Sequence, residues 1–343
     1  MISRRQFLQI AGAAALAMTL SPPARAQTGA LTFSGRKWLV GGVALPVNGL
    51  PRNIRLVQAV SDFDGKVKGW DATANTAAFV AALPTFRSYG IEAITINMQG
   101  GNPGAGSATW GENYNNSTFR ADGTMKGAYT GRLTKALDGM TAVGIVPIVG
   151  IFYQRQDQIL TDEAAVKKAV GQAVNFLAPW KNRIVVEVAN EADVALYHHA
   201  ILKRGRIREL VKVFRDAGYH AGFSLSGGVP TVAEAGTSNI IFLHGNDKTD
   251  DKITELANTA RTRFPGKPAA FNEDGASKDN TPYSVARYTS HMNRAFDGGA
   301  GWGLHDDDEY QTIGPVGTTM TKISWEPEST RAKEALTALK NLA

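Results

Sequence analysis

Along most of this chain, short apolar runs alternate with longer stretches in which apolar positions recur every three or four residues. The short runs read as strands. They fall at 38–45, 91–98, 145–152, 184–190, 221–226, 240–244, 268–273 and 299–304. Several are apolar at nearly every position, as strands are when both sheet faces are covered. The longer stretches read as helices. In 161–178, Val166, Ala169, Val170, Ala173, Val174 and Leu177 form one face, with Thr161 placed to cap the start and Pro179 to stop it. Ile207, Leu210, Val211 and Phe214 stripe a helix within 199–217, and Gly218 suits its end. Leu133, Leu137 and Met140 do the same before Gly144, and further helices fit 73–89, 251–263, 282–296 and 328–342.

Eight strands alternating with helices predict a (β/α)8 barrel, an α/β fold forming a single domain. A doubly wound open sheet is the rival arrangement, but no Gly-rich phosphate-binding turn follows the early strands. The longest irregular stretch, 99–129, is rich in Gly and Asn and follows the second strand. That places it at the C-terminal face of a barrel, where long loops usually serve function.

Residues 1–26 stand outside this pattern. They combine Arg4 and Arg5, an apolar run from Ile10 to Leu20, and an Ala24-Arg25-Ala26 end. That is the layout of a secretory signal, and the run is shorter than the ~20 residues of a spanning helix. Ser3-Arg4-Arg5-Gln6-Phe7-Leu8 resembles the twin-arginine export motif. The expectation is a cleaved leader over 1–26, a barrel over 27–343, and a periplasmic or secreted mature protein.

Composition narrows the classes further. With 43% hydrophobic and 20% charged residues over 343 positions, the chain has enough apolar material for one large core. The leader holds three arginines and no acid, so removing them takes the net charge from +6 to +3. No Lys/Arg cluster is interleaved with aromatics, which argues against nucleic acid. No later segment is apolar enough to span a membrane, so no membrane contact is expected after leader cleavage. The absence of cysteine excludes disulfides, thiolate metal sites and a Cys nucleophile. Oligomeric state is not legible.

The chemistry sits where the strands end. In a barrel, side chains at the C-terminal strand ends converge on one site. Here those ends carry Asn97 and Gln99, then Tyr153 and Gln154, Asn190 and Glu191, His244, Asn272 and Glu273, and finally Trp302 and His305. Apolar strands that end in hydrogen-bonding groups suit a polar ligand. Glu191 and Glu273, on strands four and seven, form the carboxylate pair that glycoside hydrolysis needs. Glu187 reads as paired on the outer side of strand four, and His198 and His199 as the surface start of the next helix. The run from His305 through Asp306, Asp307, Asp308 and Glu309 reads as a solvated loop, with a Ca²⁺ or cationic-sugar site as the alternative.

Asn190-Glu191 after an apolar strand resembles the Asn-Glu signature of the clan of (β/α)8 retaining glycosidases that includes the cellulase-like families. The resemblance runs over about residues 38–343 and rests on short motifs. It implies that Glu191 is the acid/base, that Asn190 bonds the sugar 2-hydroxyl, and that Glu273 in AAFNEDG is the nucleophile. It also implies that His244 in IIFLHG approaches that nucleophile and that Trp302 in GAGWGL floors the sugar subsite. Many clan members carry an Arg after strand one or two that supports the nucleophile. Arg52 and Arg55 lie nearby in sequence, without an assigned place. Asn97, Gln99, Tyr153, Gln154 and His305 complete the expected substrate contacts. The expected function is a secreted, retaining glycoside hydrolase acting on an oligo- or polysaccharide, with no metal and no cofactor. Two alternatives stand beside it. One is a metal-dependent hydrolase using His244, His305 and the acids at 306–309, although the first histidine in the chain is His198 and such barrels generally carry an early H-x-H. The other is a non-catalytic glycan-binding barrel.

Overall fold

The computed structural model describes residues 29–62, 69–100, 116–275, 284–306 and 324–342. The leader, residues 101–115 of the long irregular stretch, and Asp307, Asp308 and Glu309 lie outside them. The chain opens with a three-stranded antiparallel sheet, β1 (Leu31–Ser34), β2 (Lys37–Val40) and β3 (Val43–Ala44). The barrel follows. Its strands are β4 (Arg52–Arg55), β5 (Ala93–Asn97), β6 (Val146–Phe152), β7 (Val185–Ala189), β8 (His220–Gly222), β9 (Ile241–His244), β10 (Ala269–Glu273) and β11 (Trp302–Leu304).

A helix follows each barrel strand: α1 (Ala72–Ser88), α2 (Gly127–Ala142), α3 (Glu163–Leu177), α4 (Arg208–Asp216), α5 (Val232–Ala235), α6 (Asp250–Arg263), α7 (Val285–Asp297) and α8 (Thr330–Lys340). The parallel order runs β11-β4-β5-β6-β7-β8, with β9 paired to β10. Two gaps are bridged. Ala270 pairs with Gly301 and Asp274 with Leu304, joining β10 to the β11 segment. The Asn239 N–H donates to the Ala221 carbonyl at 3.1 Å, joining the approach to β9 with β8. The ring is a (β/α)8 barrel.

The first barrel strand is a correction to the sequence reading. Positions 38–45 form β2 and β3 of the opening sheet, and the barrel begins instead at Arg-Asn-Ile-Arg, residues 52–55. All four are buried. Such a strand escapes apolar patterning because its charges are neutralised inside the fold rather than left in water. Arg52 is gripped by the Glu92 carboxylate, and Asn53 donates to the Phe271 carbonyl at 2.9 Å. Arg55 meets Glu187 and Glu273. Two helix boundaries also differ. Asp162, not Thr161, caps α3, accepting from the Ala165 N–H at 2.8 Å. The 199–217 stretch is helical as α4 only from Arg208.

Two apolar layers hold the barrel. One lies between strands and helices, where α3 contributes Val166, Ala169, Val170, Ala173 and Leu177. The other fills the lower interior with Ala93, Val146, Ile148, Val185, Phe242 and Ala270. Trp38, Leu31, Val40 and Leu45 of the opening segment pack onto that interior layer and close the lower mouth. A fully buried aromatic of this size contributes about 3 kcal/mol or more.

Candidate active site

At the upper end the interior changes character. Side chains alternate along a strand, so Val185 and Glu187 share one face of β7. That face points inward: Val185 lies in the interior layer and Glu187 is fully buried between Arg55 and His244. The outward placement expected for Glu187 is therefore corrected. An unpaired carboxylate could not stay ionised there, and the two cations supply its pairing.

Glu191 follows β7 with φ +53. This left-handed backbone costs a non-glycine residue on the order of 1–3 kcal/mol and ends the strand. The Ser224 Oγ accepts from the Glu191 N–H at 2.9 Å and anchors the turn. Glu273 ends β10 just after a register shift between Phe271 and Glu273. A bulge of this kind turns a side chain out of its normal alternation. One oxygen of each carboxylate and one ring nitrogen of His244 lie within 4.8 Å of one another.

The two carboxylates have different surroundings. Glu273 is buried, with Oε2 at 2.8 Å from Arg55 Nε and Oε1 accepting from Asn246 Nδ2 at 2.5 Å. His305 Nε2 stands 3.8 Å from Oε1. Glu191 keeps 15% of its side chain exposed, with Oε1 at 3.0 Å from His244 Nδ1 and Oε2 accepting from Gln154 Nε2 at 3.2 Å. Asn190 joins the halves. Its Oδ1 accepts from Arg55 at 2.7 Å, and its Nδ2 donates to Gln154 Oε1 at 2.8 Å.

Proton affinities follow from this packing. Burial alone would lower the His244 imidazole, but the carboxylates of Glu273, Glu187 and Glu191 outweigh it and push it up to about 10. Burial would raise Glu187, yet Arg55 and His244 outweigh that and hold its carboxyl below the usual range. Burial works against the Arg55 charge too, and Glu273 and Glu187 more than compensate, so it stays a cation. Three donor atoms within 4.8 Å would also suit a metal ion. Two cations already neutralise the same carboxylates, which argues against a third. Asp306, one of the acids offered as a metal ligand, is taken by the Arg331 fork at 2.8 and 2.9 Å.

Of the residues expected at the site, Asn190, Glu191, His244, Glu273, Gln154 and His305 come together. Tyr153 is buried close enough to Arg55 to favour its charge. His244 is a partial correction, because its nearest carboxylate is Glu191, with Glu273 Oε2 at 3.7 Å. Trp302 is a full one. It is 1% exposed, donates its indole N–H to Asp274 at 2.6 Å, and meets Tyr288 of α7 edge-on, so it lies in the barrel wall rather than under a sugar. Gln99 is spent on structure, donating to Ser117 Oγ and the Gln156 carbonyl and accepting from the Tyr153 N–H. Asn97 is fully buried over Gly150, and neither of its amide atoms has a hydrogen-bond partner among the described residues. Asp274 joins His291 and Trp302 rather than a ligand. His199 is buried against the Leu160 carbonyl, not on the surface.

Sequence reading left Arg55 unplaced and missed Asn246, Ser224 and the inward role of Glu187. The available signals were strand alternation from Val185 and the polar Asn246 two positions after His244.

Comparison with known proteins adds three findings. Residues 1–21 match the TAT (twin-arginine translocation) pathway signal sequence, which marks the chain for export by that route. No curated protein sequence matches the chain. Many solved structures share the fold. One is a broad-specificity endoglucanase of glycoside hydrolase family 5 from Bacteroides salanitronis, 16% identical, with TM-score 0.61 over 90% of this chain and 97% of that one. Another is an exo-β-1,4-mannosidase from an Opitutaceae bacterium, 13% identical, with TM-score 0.58 over 90% of this chain and 62% of that one. A third is a family 5 glycoside hydrolase from Prevotella bryantii with a bound xyloglucan tetradecasaccharide, 12% identical, with TM-score 0.58 over 86% of this chain and 96% of that one.

Proposed function

We propose that this chain is an exported glycoside hydrolase that cleaves an oligo- or polysaccharide with retention of anomeric configuration. The observation that carries the reading is the close carboxylate pair in unequal surroundings. Carboxyl groups about 5–5.5 Å apart suit a double displacement, whereas about 6.5–9.5 Å leaves room for the water of an inverting reaction. Contact atoms within 4.8 Å favour the former.

Glu273 is the nucleophile. Arg55 and Asn246 keep it ionised and aimed. It attacks the anomeric carbon while Glu191 protonates the departing glycosidic oxygen. The glycosyl ester then breaks when Glu191, now ionised, takes a proton from water. Asn190 has a second Nδ2 hydrogen for the sugar 2-hydroxyl, and Tyr153, Gln154 and His305 line the approach. The catalytic domain is the barrel over 27–343, behind a leader cleaved after Ala26.

The solved structures of the same fold direct the substrate screen toward β-linked glucan, xyloglucan and mannan oligosaccharides. Proton NMR of the first-formed product tests the mechanism. The retained anomer supports it, and the inverted anomer overturns it. Glu273→Gln and Glu191→Gln are each expected to lower kcat on the unactivated oligosaccharide by about 10³-fold or more. Unchanged turnover in either variant would remove that residue from its role.

A further inference from the structure

Glu187 touches neither carboxylate of the pair, yet it closes a ring that includes one of them and grips the other. From Arg55, contacts run to Asn190 at 2.7 Å, Gln154 at 2.8 Å, Glu191 at 3.2 Å and His244 at 3.0 Å. They continue from His244 Nε2 to Glu187 Oε1 at 3.6 Å and return to Arg55 at 3.3 Å. Glu187 Oε1 and His244 Nε2 are both buried and have no hydrogen-bond partner among the described residues. They face each other as an ion pair. Building on the proposed function, we propose that Glu187 is a positioning residue that fixes a proton on His244 Nε2, so that His244 Nδ1 stores the proton Glu191 delivers.

The charge balance supports this. Three carboxylates, Glu187, Glu191 and Glu273, face His244, and Arg55 supplies one positive charge for two of them. A second positive charge on the imidazole leaves the group near neutrality. With Nε2–H held toward Glu187, the other imidazolium proton lies on Nδ1, against Glu191 Oε1.

The reaction then draws on that proton in step. As the Glu273 oxygen bonds to the anomeric carbon, its negative charge disappears into the ester. Glu273 Oε2 is 3.7 Å from His244 Nδ1, so this loss weakens the hold of His244 on its proton. The Nδ1 proton passes through Glu191 to the departing oxygen, which leaves Glu191 ionised and His244 neutral. In the second step Glu191 takes a proton from water, the ester breaks, Glu273 regains its charge and Nδ1 is reprotonated through Glu191. One proton enters from water for each one delivered.

The test uses the full mature chain. In nitrogen-15 spectra of histidine-labelled wild-type protein, His244 is expected to remain imidazolium well above the ordinary 6.5. Its neutral form above that titration is expected to carry the hydrogen on Nε2. A neutral form protonated on Nδ1 overturns the proposal even if no variant folds. In Glu187→Gln, the His244 titration falls toward the ordinary value. The same variant is expected to lose about 100-fold in kcat on an unactivated oligosaccharide but only about threefold on its 2,4-dinitrophenyl glycoside, which leaves without a proton. Equal losses on both substrates would assign Glu187 a merely structural role. Failure of the wild type to cleave any glycoside sinks the proposed function, while the tautomer measurement still decides the Glu187–His244 pairing.

Discussion

The two halves of the barrel interior are made from the same strands and do opposite things. The lower half carries Ala93, Ile148, Val185, Phe242 and Ala270 and is shut by Trp38. The upper half carries Arg55, Glu187, His244 and Glu273 on four of those eight strands. One residue separates Val185 from Glu187, and across that step the interior goes from apolar to ionic. The lower half supplies stability through transfer from water. The upper half spends some of that stability on desolvated charge, which holds two carboxylates close together in unequal surroundings.

The largest test of this division is Arg55→Met. It removes the cation that Glu187 and Glu273 share. The expected result is a stability loss of about 3–5 kcal/mol and a fall in kcat of about 10²-fold or more. Denaturant melts and steady-state kinetics check the two parts. A change in stability without a change in kcat would deny the upper half its role. The converse variant, Trp38→Ala, is expected to cost about 3–5 kcal/mol while leaving kcat of the folded fraction within about twofold. A large kcat effect there would mean that the halves are not separable.

A pH scan of stability separates them more finely. His244 titrates near 10 in the fold against 6.5 ordinarily, so its pairing stabilises fully below about 6.5 and is lost as pH rises through about 10. Melting temperature is expected to decline over that window, and His244→Gln is expected to abolish that part of the decline. Glu187 has the opposite sign, its carboxyl held low, so its contribution disappears only as pH falls below the usual carboxylate range. The smallest effect is expected from Trp302→Phe, about 1–2 kcal/mol for the lost bond to Asp274, with KM unchanged. A marked rise in KM would return Trp302 to the sugar floor.

How much of this was legible in the sequence follows the same division. Strands β5 to β11 showed themselves because apolar runs announce buried strands, and their polar ends announced a site. Asn190, Glu191 and Glu273 were found that way. β4 did not show itself, since Arg-Asn-Ile-Arg looks like surface until Glu92, Glu187 and Glu273 arrive from distant strands. Glu187 was misplaced because a lone carboxylate in a strand is normally turned to water. Only the assembled ring of strands brings it Arg55 and His244. Trp302 misled for a related reason. A tryptophan close to a strand end reads the same whichever face it takes, and here it faces α7.

The most direct test is covalent trapping of the nucleophile. The sugar selected by the substrate screen is made as its 2,4-dinitrophenyl 2-deoxy-2-fluoro glycoside, incubated with the mature protein, and the adduct located by peptide mass mapping. One adduct per chain is expected, on Glu273 within the AAFNEDG segment, with loss of activity in step. An adduct on Glu191, or hydrolysis of the natural substrate with inversion and no adduct, would contradict it.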